Sequence, residues 1–357
     1  MDGNVRATPA DDRFAALPRP AAIAILAALL ISTALGLWSP TSVARRAPKG
    51  VPTDVFLYRA VVQRVRAGEP YEEAAVTEQR ARHYPLKPFV VVRPPTLAVL
   101  LSLAPNQGVV NVIEACLGAL VIYAWTVRLH GLGPGPPWMI WTAACLFTGV
   151  GVAMAGGVAS QFTEVWAGLL IALSLGLRSE RRFAAAVALG LLAALIRELA
   201  MPYLLVMALF ALMERRRLEA IAFAGALAVV GAALAWHAHQ VMALVRPGDL
   251  PSQGWASLGG LAFLRATVSW NLIVPLVGSW AAAVIAPLAF LGAGWWRSPT
   301  GARLFTLLAG YLAAFLVLGR PENQYWGFIV APLVAIGFSL APLALASLAK
   351  RVARRTA

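Results

Sequence analysis

Charge is scarce in this chain: only 13% of its 357 residues are Asp, Glu, Lys or Arg, about half the ~25% usual in soluble domains. The shortage comes with 60% apolar residues and a mean hydropathy of +0.72. Together these exclude an ordinary soluble domain, whose apolar share is about 45–50%. Cysteine is almost missing. Cys116 and Cys145 both fall in apolar runs, so neither a disulfide framework nor a thiolate metal site is available. Of four histidines, His237 and His239 stand two apart. Such a pair diverges on a helix and has no third ligand nearby, so no metal is expected. No Asp-x-Asp element occurs, and no repeat of solenoid type is visible. Gly156-Gly157 reads as a turn, since no strand or nucleotide context accompanies it.

What is present is a series of long apolar runs. A helix needs ~17–25 apolar residues to cross a hydrocarbon core of ~30 Å, because unpaired backbone groups are too costly in lipid. About ten candidates are read at residues 21–38, 109–129, 137–153, 163–177, 183–196, 201–213, 220–236, 272–295, 304–318 and 325–348. The expected fold is an all-α polytopic membrane protein. The run at 21–38 is longer than a signal-peptide core and lacks a convincing cleavage site, so it reads as a retained first helix. The two runs flanking Arg197 form either a tight hairpin beside Pro202 or one kinked segment.

A formal net charge of +14 is of the size nucleic-acid binders carry, but its distribution argues for topology. With ten spans, one set of short loops and both ends of the chain carry Arg6, Arg13, Arg19, Arg128, Arg178, Arg181, Arg182, Arg215, Arg216, Arg217, Arg297, Arg303, Lys350, Arg351, Arg354 and Arg355. The opposite short loops carry only Arg197, Arg246, Arg265 and Arg320. The positive-inside rule then places both termini in the cytoplasm. The expected layout is a cytoplasmic tail at 1–20, a membrane domain at 21–348 and a basic tail at 349–357. No nucleic-acid partner is expected.

One polar stretch breaks the series. The first outer loop, 39–93, holds ten Lys/Arg, and loops approaching ~60 residues translocate with little regard to charge. Within it, Tyr58, Val61, Val62 and Val65 recur at helical spacing, predicting an amphipathic helix in the outer interface, capped by Thr53 or Asp54 and ended by Gly68. A second helix is expected over residues 72–82. The apolar run 94–105 is too short to span, so it should dip into the leaflet or pack on the bundle. A later outer loop, 237–269, is rich in Gly, Trp and Pro and suits a mobile cover over a site.

Ionisable groups at membrane depth are expensive and usually mark a functional interior. Asp54, Glu114, Glu164, Glu198, Asp249 and Glu322 all map to the outer side, as do Arg93, Arg197, Arg265 and Arg320. A guanidinium fork suits a phosphate or pyrophosphate group. Plainer roles compete. Asp54 can serve as a helix cap, Arg93 as a snorkelling anchor and Glu114 as a structural hydrogen-bonder. Trp38, Trp236, Trp270, Trp295 and Trp326 fit an interfacial belt.

Several short motifs add a resemblance. Asp54, Gly68-Glu69-Pro70-Tyr71, Tyr84-Pro85, Arg93-Pro94-Pro95, Ile196-Arg197-Glu198 and the run from Arg320 through Pro321, Glu322, Asn323, Gln324 and Tyr325 to Trp326 resemble the GT-C superfamily of integral membrane glycosyltransferases. The bacterial polyprenyl-phosphate-mannose-dependent mannosyltransferases are the nearest in flavour. The resemblance implies a GT-C-like bundle, a polyprenyl-phosphate sugar as donor, a catalytic acid in the first outer loop, here Asp54, and a second acid for which Glu164 is the positional match. It also implies a basic residue before Pro-Pro, matched by Arg93, although Thr96 stands where relatives commonly carry Leu.

On that basis Asp54 is the expected catalytic base, and Arg93, Arg197, Arg320 and Arg265 are donor-phosphate ligands. Glu164, Glu114, Glu198 and Glu322 are secondary acids. Tyr58, Tyr84, His237, His239, Trp255, Asn323, Tyr325 and Trp326 are sugar or acceptor contacts. No cofactor is expected. The partners are the lipid bilayer, the lipid-linked sugar, and a glycan or glycolipid acceptor. The setting is a bacterial inner membrane with the site on its outer face. Two other classes stand beside this one: a polytopic transporter or flippase, and a non-catalytic subunit of envelope assembly.

Overall fold

The computed structural model describes residues 11–39, 54–154, 157, 159–255 and 257–353. Among them the chain is helical, with only isolated bridges and no strand. The helices are α1 (Arg19–Trp38), α2 (Asp54–Arg66), α3 (Tyr71–Ala81), α4 (Thr96–Leu103), α5 (Gln107–Leu129), α6 (Gly135–Met154), α7 (Thr163–Leu177), α8 (Ala184–Ile196), α9 (Met201–Met213), α10 (Arg217–Leu244), α11 (Gly260–Val268), α12 (Ile273–Val277), α13 (Ala281–Trp295), α14 (Pro299–Val317) and α15 (Gly327–Ala353).

Five segments among the described residues are long and apolar enough to cross a membrane: Arg19–Trp38, Gln107–Leu132, Arg217–Leu244, Pro299–Val317 and Pro321–Ala353. Their outer faces carry large apolar side chains that are exposed among the described residues, such as Leu30, Trp38, Ile221 and Met242. In water such a surface would be untenable, and in lipid it is ordinary. Thr163–Leu177, Ala184–Ile196, Glu198–Met213 and Ala281–Trp295 are shorter apolar helices packed among them.

α15 runs through the centre against α13, α6, α7 and α14. Small residues bring these backbones together. A Cβ at Gly292 of α13 would strike the Gly337 carbonyl of α15, and one at Gly337 would strike the Ala289 carbonyl. This is close packing by small residues, which helices in lipid use because no hydrophobic force drives them together.

Buried charge settles how α8 and α9 are joined. Arg178, just past the end of α7, donates to Glu219 Oε1 at 2.7 Å and Oε2 at 3.0 Å, and to Glu214 Oε2 at 3.2 Å. Glu214, just past the end of α9, accepts from Arg303 at 2.7 and 2.8 Å. Gly190 of α8 also lies against Tyr203 and Leu204 of α9. A continuous helix would hold residues 190 and 203 about 20 Å apart at ~1.5 Å per residue. The pair is therefore a hairpin turning at Arg197 through a 3-10 turn, Glu198–Ala200, with Pro202 in the first turn of α9. Arg128 joins the basic cluster through Gly176 O at 2.8 Å and Thr300 Oγ1 at 2.7 Å.

Four sequence expectations change. Residues 272–295 are not one helix. The run breaks after Val277 at Gly278, whose φ of +111° suits glycine, and restarts as α13. The 1–20 tail is not free along its described part, because Phe14 is buried and Arg351 donates to the Leu17 carbonyl at 2.8 Å. His237 and His239 do not begin a loop. α10 carries its helix-forming sequence through Leu244, about 42 Å in all at ~1.5 Å per residue, and stops short of Arg246-Pro247-Gly248.

The fourth concerns α2, whose apolar face is covered by protein. Leu57 and Val61 join Tyr71, Ala74, Leu86, Val92 and Val241 in a second core, with Tyr58 and Val65 packed at its margin. α2, α3 and α4 thus form a cap over one end of the bundle. Thr53, Gly156, residues 40–53 of the first outer loop, 1–10 of the tail and 354–357 of the basic end lie outside the described residues.

Candidate functional site

Between the α2–α4 cap and the bundle lies a cavity of about 720 Å³. Its position follows from the chain breaks. α2 begins at Asp54, α7 begins just past Gln161, α8 stops at Arg197, and the segment between α14 and α15 crosses as a 3-10 turn, Pro321–Trp326. Each break points polar groups into the same space.

Asp54 and Tyr84 form one wall. The Tyr84 hydroxyl donates to Asp54 Oδ1 at 2.7 Å, and the carboxylate sits in the first turn of α2, where the helix dipole favours negative charge. Burial first, and the Asp54 charge second, push the Tyr84 phenol above its usual range, so it remains the donor. Burial likewise raises the Tyr58 phenol, which also lines the cavity.

Arg93 faces them. Burial works against its charge, but Tyr325, Tyr58 and Glu164 outweigh that effect and raise its pKa well above the ordinary value. It donates to the Tyr325 hydroxyl at 2.7 Å and stands 3.7 Å from Glu164 Oε1. Its backbone is held on both sides. The Tyr71 hydroxyl donates to the Arg93 carbonyl at 2.7 Å, and the neighbouring Val92 carbonyl meets His237 Nε2 at 3.1 Å. The other ring nitrogen of His237 lies 3.2 Å from Glu72, whose carboxyl is held below its usual range chiefly by that hydrogen bond.

The floor is ionic. Arg197 Nε meets Glu164 Oε1 at 2.7 Å, and its Nη1 donates to Glu198 at 2.5 Å. The first contact lacks the alignment of a hydrogen bond, so both of its atoms remain without one. Glu198 Oε2, Gln161 Oε1 and Trp326 Nε1 are also buried and unpartnered. Buried polar atoms are normally paired, and all but Glu164 of these residues line the cavity. Arg320 holds the loop above by donating to Gly254 O at 2.8 Å and Gln253 O at 2.9 Å. Among the described residues it forms no ion pair with a carboxylate. Beyond this polar end the walls become apolar through Leu57, Val61 and Val62 of α2 and Leu97, Ala98 and Leu101 of α4.

Asp54, Tyr58, Tyr84, Arg93, Arg197, Glu198, Trp255, Arg320, Glu322, Asn323, Tyr325 and Trp326 all line this space. The other candidates do not. Glu164 lies behind the floor as the shared counter-ion of Arg93 and Arg197. Glu114 is buried within α5 with neither oxygen bonded. Arg265 ties the Ser39 and Ser279 carbonyls together, joining the end of α1 to the break before α13. His237 supports Val92 from behind, and His239 is exposed beside Trp236.

Residues 252–255 line the cavity, and the stretch 245–255 is tethered rather than free. Arg80 grips both oxygens of Asp249 at 2.7 and 2.8 Å, the Leu86 amide donates to Leu250 O, and the Ser252 amide donates to Lys87 O. Sequence reasoning missed Tyr71, Glu72 and Gln161. Tyr71 figures in the sequence reading only within the Gly68-Glu69-Pro70-Tyr71 motif, with no site role, and Glu72 only as the start of an expected helix. Gln161, a lone amide two residues before an apolar run, was a visible signal. No family model, curated protein or solved structure matches this chain.

Proposed function

We propose that this chain is an inverting membrane glycosyltransferase that moves a sugar from a polyprenyl-phosphate donor to a hydroxyl of a lipid-linked or cell-envelope glycan. One observation carries the reading. An acid, Asp54, and an arginine, Arg93, line one cavity whose walls also include an apolar stretch from α2 and α4. An amphiphile with a phosphate junction needs such a space.

The chemistry follows from the groups. Asp54 accepts the proton of the acceptor hydroxyl as its oxygen attacks the anomeric carbon. The bond from that carbon to the phosphate oxygen breaks, and its electron pair leaves with the phosphate, inverting the centre. Such a base contributes ~10²–10⁴-fold. Tyr84 orients the carboxylate. Arg93 and Arg320 oppose the charge gathering on the phosphate, a preorganised electrostatic role. Arg197 is balanced by Glu164 and Glu198 and holds the floor in place. Tyr58, Trp255, Asn323 and Trp326 offer faces and polar atoms to the sugar. The scheme invokes no metal.

The same reading takes the apolar helices as about ten spans of a GT-C-like bundle in a bacterial inner membrane. The arginine-rich end of the bundle, with both termini, faces the cytoplasm, and the cavity faces outward. The test is transfer by the purified protein in nanodiscs from a panel of polyprenyl-phosphate sugars. Asp54→Asn, at equal protein level, is expected to lose at least ~10²-fold, and unchanged transfer overturns the proposal. Movement of the lipid across the bilayer without any transferred product would favour a transporter.

A further inference from the structure

The main cavity has a neighbour of about 300 Å³, and the two share Val62, Leu101 and Gln161 in their walls. That volume is at the lower end of small-molecule pockets, about 300–1,000 Å³, and suits a sugar unit better than a lipid chain. Its walls combine amides from Gln63, Asn106, Gln107 and Gln161 with the apolar faces of Val62 and Val110.

Gln161 is the informative residue. It belongs to the 3-10 turn Ala159–Gln161 ahead of α7 and is 4% exposed. Its neighbours set the orientation of its amide. Gln107 gives its Nε2 to Asn111 Oδ1 at 2.8 Å and to Ser160 Oγ at 2.7 Å, so Gln107 Oε1 is what remains for Gln161 Nε2, at 3.3 Å. Gln161 Oε1 is left buried with no donor. The terminal torsion of glutamine is broad, so a small turn brings that oxygen to either cavity.

What is missing there is a donor. A phosphate or carboxylate offers only acceptors and would be repelled by a carbonyl oxygen, whereas a hydroxyl supplies the proton and can accept from the neighbouring amides. The alternation of amides with Val62 and Val110 matches a sugar ring, with its hydroxyl edge and its C–H face. Two arginines also line it: Arg66 is engaged by the Leu101, Ser102 and Ala104 carbonyls at the end of α4, and Arg59 is solvent-exposed, which leaves Gln161 as the buried polar group of the wall.

We infer that the smaller cavity is the acceptor subsite, taking a neutral, hydroxyl-rich glycan terminus with Gln161 accepting one of its hydroxyl protons. This rests on the glycosyltransferase reading above. The shared wall then directs the seated sugar toward the space between Asp54 and Arg93.

The test reads binding, not transfer. Methyl α-mannoside, a mannobiose, methyl arabinofuranoside and inorganic phosphate are titrated by saturation-transfer NMR against the full chain in nanodiscs. At least one saccharide is expected to bind. Gln161→Leu should weaken it at least tenfold, and Gln63→Trp, at an exposed position, should block it by filling the pocket. Gln63→Trp perturbs no buried network, so it keeps the test valid if Gln161→Leu fails to fold. Binding of phosphate alone, no saccharide binding by the wild type, or saccharide binding indifferent to both substitutions each overturn the subsite. A chain that binds saccharide through Gln161 yet keeps full transfer with Asp54→Asn would sink the catalytic reading alone. A working transferase whose saccharide binding ignores both variants sinks the subsite alone.

Discussion

Glu164→Gln isolates what the ionic floor contributes. The carboxylate is 1% exposed and sits 2.7 Å from Arg197 Nε and 3.7 Å from Arg93 Nη2. At an effective dielectric of ~20 these pairs are worth about 6 and about 4 kcal/mol of attraction. Removing the acid also removes its own desolvation penalty, several kcal/mol per buried ion. Arg197, itself 1% exposed, keeps Glu198 and is not wholly abandoned. The expected net cost is therefore at or just below the ~3–5 kcal/mol typical of breaking a buried pair.

Unfolding of purified protein in mixed micelles by denaturing detergent measures it, with Arg197→Met and the double variant completing a cycle. The double variant should lose clearly less than the sum, by at least ~2 kcal/mol, since it leaves no lone buried charge at that contact. A loss under ~1 kcal/mol for Glu164→Gln, or strict additivity, would refute the counter-ion role. The same variant leaves the cavity more positive. On the proposed function it should bind the anionic donor more tightly while being less stable, a split that simple damage does not produce.

Tyr84→Phe removes one hydrogen bond to Asp54 and should lower transfer by roughly tenfold, well short of the Asp54→Asn effect, given ~1.4 kcal/mol per factor of ten. The tether over the cavity should fail in acid. Arg80 holds the Asp249 carboxyl below its usual range, so the stabilisation is complete above the ordinary aspartate pKa of about 3.9 and is lost as pH falls through the lower folded value. Limited proteolysis of residues 245–259 should therefore be insensitive to this group between about pH 5 and 8. Asp249→Asn should raise cleavage throughout that window, and no increase would mean the clamp does not hold the loop. Gly292→Val drives a branched side chain into the Gly337 carbonyl. It should cost about 1–3 kcal/mol or more by overpacking, visible as a lower unfolding midpoint, while Gly225→Ala at an open helix position should not.

Much of the helical layout was legible because lipid permits few alternatives. Every long apolar run except 272–295 falls largely on one helix, and α7 and α9 match the sequence spans residue for residue. Hydropathy is blind to small interruptions, so the break at Gly278 inside 272–295 went unseen. It also marks a membrane boundary rather than a helix end, and therefore α10 outran its expected stop at Trp236. At the site, residues that share a chain break were legible: Asp54, Arg93, Arg197, Arg320 and Tyr325 each stand where a helix begins or fails. Arg265, read from sequence as an outer-loop arginine like the others, instead lies within α11 and donates to carbonyls at the end of α1 and at the break before α13. Which way a side chain turns depends on partners hundreds of residues away, and a linear reading does not contain that distance.

The bond between Arg93 and Tyr325 joins residues 232 positions apart. At ~5–20 residues per second of synthesis, Arg93 emerges about 12–46 s before its partner. Arg197 and Glu198 arrive midway, already matched to Glu164 by nearby sequence, so the floor can close before the far wall is made. The last wall, Arg320 to Trp326, is made later still. On the proposed function, a fragment that stops before residue 320 carries the acid and the floor but has no closed chamber in which to engage a lipid carrier. On that reading, a chain stopped before residue 320 is expected to be inert in transfer rather than a poorly controlled enzyme.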